Sequence, residues 1–99
     1  MMVDGPSTVR LRDRDLVMRE IDGEAVLLDL AGSTYLAANS TGTFLLRLLT
    51  ESQDHPSLVS SLVREFGIST AQADADASSF VAALAEQGLL IHTRMDDGG

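Results

Sequence analysis

Residues 59–90 read VSSLVREFGISTAQADADASSFVAALAEQGLL. Apolar residues at helical spacing (Leu58, Val59, Leu62, Val63, Phe66) predict a helix that starts near Pro56 and ends at Gly67. Ser69 with Gln72 has the capping-box pattern, so a further helix runs from about Thr70 to Gln87. Its stripe is Ala73, Ala77, Phe80, Val81 and Leu84, and Gly88 closes it. Leu89-Leu90-Ile91 then forms a short apolar strand that packs back on the core. Helix, glycine turn, helix and strand make the outline of a winged helix-turn-helix. In that outline the second of these helices would lie on DNA. Yet it carries Asp74, Asp76 and Glu86 and neither Lys nor Arg. Duplex DNA presents a dense row of phosphates, and its binders neutralise them with cations. An acidic helix in that place is repelled.

The pattern upstream is strand-like. Leu16 to Ile21 is β-prone, and Asp22-Gly23 is a strong hairpin signal, because a type I′ turn needs positive φ at both positions. Ala25 to Leu30 is nearly all apolar and suits a central strand. Ala31-Gly32 turns the chain again into Ser33 to Ala38, a third strand at an edge. Val9 to Arg12 suggests a short extra strand. Asn39 or Ser40 caps a helix to about Leu49 with Phe44, Leu45, Leu48 and Leu49 on one stripe. The expected fold class is α+β: a winged helix-turn-helix-like domain with a three-stranded antiparallel sheet followed by three helices. Residues 1–8 read as a flexible N-terminal arm, 9–92 as the domain and 93–99 as a disordered tail.

The whole-chain numbers agree with one small domain. There are 99 residues, 44% hydrophobic and 22% charged, which is ordinary for a folded chain. The formal net charge of −8 favours basic or apolar partners over anionic ones. All seven basic residues are Arg, and Arg10, Arg12, Arg14 and Arg19 cluster early, interleaved with Asp13, Asp15 and Glu20. That mixture reads as a solvated strand face. There is no apolar run of membrane-spanning length and no cationic-then-apolar signal layout at Met1 to Arg14, so no membrane partner and a cytoplasmic location are expected.

Reactive chemistry is sparse. With no Cys, neither disulfides nor thiol catalysis enter. His55 and His92 are far apart in sequence and make a poor zinc set. No phosphate-binding glycine loop and no EF-hand pattern occurs. Ser57, Ser60, Ser61, Ser78 and Ser79 fall at helix positions without a neighbouring base, where caps and surface hydroxyls explain them. No catalytic residue, metal or cofactor is expected, and the chain is not read as an enzyme.

Several phrases in order resemble the PqqD-like family, also called RiPP recognition elements. They are Gly23-Glu24-Ala25-Val26-Leu27-Leu28-Asp29, then Tyr35-Leu36 leading to Asn39-Ser40-Thr41-Gly42, then Leu45 to Leu49. Leu58, Leu62 and Phe66-Gly67 follow, then Asp76 to Leu84 and Gly88-Leu89-Leu90. The resemblance spans about Arg10 to Ile91. The chain departs from the family's usual pattern at Ala38, where a Leu is common, at Leu46, where an aromatic is common, and at Ala77, where a larger aliphatic is common. Those departures bear on peptide choice, not on the fold.

The resemblance implies a non-catalytic domain that binds the leader segment of a ribosomally synthesised precursor peptide. It would deliver that leader to a maturation enzyme, a protease or cyclase, with the lasso-peptide type favoured. It implies that the leader adds as a strand beside the third strand and lies against the third helix. On this sequence that places the peptide-binding residues at Thr34, Tyr35, Leu36 and Ala37 on the strand and Asp76, Phe80, Ala83 and Leu84 on the helix. Asp76 reads as solvent-facing, and the alternative is that Asp74 and Asp76 together receive a leader Lys or Arg. A homodimer through the edge strand is compatible with the same feature. Two other readings stand beside it: a winged-helix DNA-binding transcription regulator using Arg10 to Arg19, and a purely structural enzyme subunit.

Overall fold

The computed structural model describes residues 7–94. In chain order the elements are β1 (Ser7–Leu11), β2 (Leu16–Ile21), β3 (Glu24–Asp29), β4 (Thr34–Ala37), α1 (Ser40–Leu48), α2 (His55–Phe66), α3 (Thr70–Glu86) and β5 (Leu90–Arg94). The three-stranded antiparallel sheet is β2-β3-β4, as the sequence suggests. Asp22 (φ 54°) and Gly23 (φ 83°) both take positive φ, and Ile21 faces Glu24 across the turn. This is the I′ hairpin that Asp-Gly favours. Register then sorts the side chains. Ala25, Leu27 and Asp29 of β3 are buried and face the helices, with Leu36 opposite Leu27. Tyr35 lies opposite Leu28 on the other face.

A second sheet was not foreseen. β1 pairs antiparallel with β5, from Ser7↔Arg94 to Leu11↔Leu90. The other edge of β1 is taken by the loop after α1, through Val9 N–H to Gln53 O (2.8 Å), Gln53 N–H to Val9 O (2.9 Å) and Leu11 N–H to Leu49 O (2.8 Å). β1 therefore starts at Ser7, inside the expected arm, and β5 reaches Arg94, inside the expected tail. Cross-strand pairing orders these ends. The rest of the expected arm and tail lies outside the described residues.

The helices begin and end by local chemistry. Asn39 Oδ1 accepts from Gly42 N–H (2.9 Å), Asp54 Oδ1 from Ser57 N–H (2.8 Å) and Ser69 Oγ from Gln72 N–H (3.0 Å). The expected capping box is only half of one, because the Gln72 amide donates forward to Asp76 Oδ1 (2.8 Å). α3 ends in a Schellman motif: Leu89 N–H reaches Leu84 O and Gly88 N–H reaches Ala85 O, both at 3.0 Å, with Gly88 at φ 72°. Leu84 and Leu89 are both buried, which supplies the apolar contact of that motif.

The core comprises Leu27, Leu45, Leu46, Leu49, Leu58, Leu62, Leu84 and Leu89, with Ala25, Ala73 and Ala77 filling the close approaches. The buried arc of α1 runs through Leu45, Leu46 and Leu49, one position round from the expected stripe. Phe44 instead stands at the rim and meets Phe66 edge-on, with centroids 5.5 Å apart.

Two polar contacts tie the layers together. The Thr43 hydroxyl, 1% exposed, accepts the N–H of Ala25 at 2.7 Å and joins α1 to β3. Arg12 does not belong to a solvated face. Its guanidinium donates to Asp29 Oδ1 (2.7 Å), to Gly88 O (2.8 Å) and to Arg14 O (3.1 Å). Asp29 Oδ1 also accepts from Ala31 N–H (3.1 Å) and Gly32 N–H (3.2 Å), inside the β3–β4 turn. The Arg12 hydrogen bond, helped by the turn amides, holds the Asp29 carboxyl below its usual range.

Two outcomes follow for stability. Replacing Thr43 by Val leaves the Ala25 N–H buried without an acceptor and costs about 1–3 kcal/mol, read from denaturant unfolding. For Asp29 the folded pKa lies below the ordinary 3.8, so its contribution is complete above that value and is lost as the pH falls through the lower folded value. Melting temperatures should therefore drop on acidification below about pH 4. Asp29→Asn should melt lower than wild type at neutral pH and show a smaller acid drop.

Candidate functional site

A sheet of three strands has two edges, and they differ. The β2 edge carries Arg19 and Glu20, with Glu20 held by Arg47 of α1 through Oε2 to Nε at 3.0 Å. Such charges blunt an edge. β4, Thr34-Tyr35-Leu36-Ala37, has no charge, and among the described residues no strand lies beyond it. Its hydrogen-bond polarity follows from the ladder. Ala38 N–H donates to Ala25 O at 2.8 Å, so alternate residues, Leu36 and Thr34, also bond to β3. The N–H and C=O of Tyr35 and Ala37 therefore point to the open side. The Tyr35 side chain is 69% exposed, a large ring left uncovered on the outer face of the sheet.

At the end of β4 the chain enters α1, and beside that junction lies an open groove of about 310 Å³ between the first turns of α1 and the middle of α3. Asn39, Thr41, Gly42 and Leu45 form one wall. Asp76, Ser79, Phe80 and Ala83 form the other. The floor is apolar and the rim is polar. Asp76 is half-buried, and its Oδ1 is held by Gln72.

The expected residues distribute as follows. Asp76, Phe80 and Ala83 line the groove together. Leu84 does not, being fully buried among the core leucines. Thr34, Tyr35, Leu36 and Ala37 form the strand that leads to the groove but are not its wall, because alternation turns Leu36 inward over Leu27 and Tyr35 outward. The wall facing α3 belongs to α1 instead, and Asn39, Thr41, Gly42 and Leu45 were missed. Gly42 offered a signal: a glycine inside a helix weakens it relative to alanine, so it marks a close approach. Asp74 points elsewhere, its Oδ1 lying 2.6 Å from His55 Nε2.

The fold and site define a winged-helix-like domain with one uncharged free strand edge running into a groove. The family described as "Coenzyme PQQ synthesis protein D (PqqD)" matches residues 24–90, and the chain belongs to it. Two solved structures are similar. TbiB1 in complex with the TbiA(beta) leader peptide is 28% identical, with a TM-score of 0.73, over 82% of this chain and 93% of that one. A lasso peptide synthetase B1 complexed with the leader peptide is 24% identical, with a TM-score of 0.72, over 84% and 96% respectively, and shares the fold. None of the curated proteins matches the chain.

The geometry separates edge from core by a pair of proline substitutions. Ala37→Pro removes an outward N–H with no internal partner and should leave the melting temperature near wild type. Leu36→Pro removes a ladder bond to β3 and a buried contact, and should lower it clearly. Thermal melts followed by circular dichroism check both.

Proposed function

We propose that this chain is a non-catalytic leader-peptide-binding protein that presents a ribosomally made precursor to its maturation enzyme, in the manner of lasso-peptide biosynthesis. The single observation that carries this is the uncharged edge of β4, with Tyr35 and Ala37 offering their backbone groups outward and a groove opening at its end. An extended peptide pairing there becomes a fourth strand, and its side chains reach the groove at alternate positions. Backbone pairing supplies affinity regardless of sequence, and the groove supplies discrimination. Family membership supports the reading, as does the likeness to TbiB1, which was solved with a leader peptide bound.

The chain's part is to bind, align and raise the local concentration of the precursor beside an enzyme. The peptide-binding residues we assign are Thr34, Tyr35, Leu36 and Ala37 of the edge, and Asp76, Phe80 and Ala83 of α3, with Leu84 beneath them as support. Asp76 favours a basic leader residue at the rim. The charge of −8 and the exposed acids of α3 work against DNA binding.

The test is calorimetric titration with synthetic peptides that span the short open reading frames beside this chain's gene. One-to-one binding with Kd in the micromolar range or tighter is expected, with slowed amide exchange on β4. Ala37→Pro, while folded, should bind at least about tenfold more weakly, the loss of roughly one good hydrogen bond. Ala83→Leu should weaken binding by narrowing the groove while leaving stability nearly unchanged. Fluorescent duplex DNA should show no binding at about 150 mM salt. Absence of leader binding, or protection confined to β2, overturns the reading.

A further inference from the structure

Gly42 sits inside α1 without a conformational reason to be glycine. Its φ is not positive, and its N–H meets the Asn39 cap as any residue's would. What it provides is space. A Cβ at this position would lie 2.9 Å from Phe80 Cε1 and 3.3 Å from Cζ, closer than packed carbons tolerate, and 3.0 Å from the Ala38 Cβ. The Phe80 ring thus occupies a notch made by two small residues, Ala38 and Gly42, at the junction of β4 with α1. The same ring is a wall of the groove. On α3, Ala77 and Leu84, one helical turn to either side of Phe80, are fully buried. A ring pushed out of the notch can move into the groove that it already borders.

We infer that Gly42 is a specificity-determining residue: by seating Phe80 in the notch it keeps the groove wide enough for one large apolar leader side chain. The inference rests on the leader-binding function proposed above. With alanine at 42 the ring moves outward, the groove narrows, and selectivity shifts from large to small side chains. The notch and the groove trade volume through one aromatic ring. The effect is steric and local: the nearest atom, at 2.9 Å, belongs to the far end of the Phe80 side chain, while the Ala38 Cβ at 3.0 Å moves only with its backbone, so the ring gives way first.

The experiment uses the full chain and a set of synthetic leaders. The parent peptide is the tightest binder from the titration described above, with each apolar residue replaced in turn by Ala, Leu and Phe. Wild type should lose affinity at one position when it becomes Ala. Gly42→Ala should weaken the peptide with the largest residue there about tenfold, the scale of one methyl-sized misfit, and leave the Ala peptide nearly unchanged. Phe80→Leu added to Gly42→Ala should restore binding of the larger residue, because the shorter side chain no longer needs the notch. Melting curves confirm that each variant is folded.

A folded Gly42→Ala that binds the whole set like wild type overturns the inference. So does a uniform loss across the set that Phe80→Leu does not repair, since that marks Gly42 as merely structural. Wild-type protein that binds none of the peptides removes the leader-binding function itself, and the inference falls with it. That result is read from wild type alone, so the two failures are distinct.

Discussion

One backbone donor, the N–H of Ala25, organises the working end of this molecule. In an uninterrupted ladder it would bond to β4. Here the Ala38 N–H still reaches Ala25 O, but the Ala25 N–H is taken by the Thr43 hydroxyl of α1 at 2.7 Å. The sheet hands its last hydrogen bond to a helix. Because that donor is buried, the exchange is compulsory, and it fixes where β4 stops and how α1 leaves the sheet. Asn39 caps the helix at that point, Gly42 falls one turn in, and Phe80 of α3 closes on it. The free edge and the groove are adjacent for this reason.

Arg12 does the corresponding task at the opposite end. It leaves β1, crosses to the carboxylate that ends β3 and reaches the carbonyl of Gly88, where α3 gives way to β5. The small β1–β5 sheet and the three-stranded sheet are thereby joined through one guanidinium, whose planar fork serves several acceptors at once. Asp29 pairs the same contact with the amides of its own turn, so the β3–β4 connection and the β1 exit are set together.

Much of this was legible where the chemistry is local. Asp22-Gly23, the caps at Asn39 and Ser69, and the glycines at 67 and 88 announce themselves by residue type, and each stands where expected. The acidic face of α3 was equally plain, and with it the argument against DNA. Pairing between chain ends was not legible: Val9 to Arg12 and Leu89 to Ile91 each read as a weak strand, and only the fold pairs Ser7–Leu11 with Leu90–Arg94. Arg12 looked like its neighbours Arg10 and Arg14, because a sequence does not show which of several arginines meets a carboxylate. In the groove, the family resemblance pointed to Asp76, Phe80 and Ala83, which line it, and also to Leu84, which the helical stripe places in the core. The opposite wall depends on how α1 crosses α3, which no local pattern encodes.

The shortness of β4 bears on time as well as affinity. Only Tyr35 and Ala37 turn backbone groups outward, so a guest strand finds roughly four hydrogen bonds within the strand itself. At about 0.5–1.5 kcal/mol net each, these amount to some 2–6 kcal/mol, short of the roughly 8 kcal/mol of a micromolar complex. A chain held by the edge alone, a second copy of this protein included, departs quickly. On the binding site proposed above, long residence requires the groove to be filled too, so that many extended chains are sampled briefly and only those that satisfy both surfaces are retained.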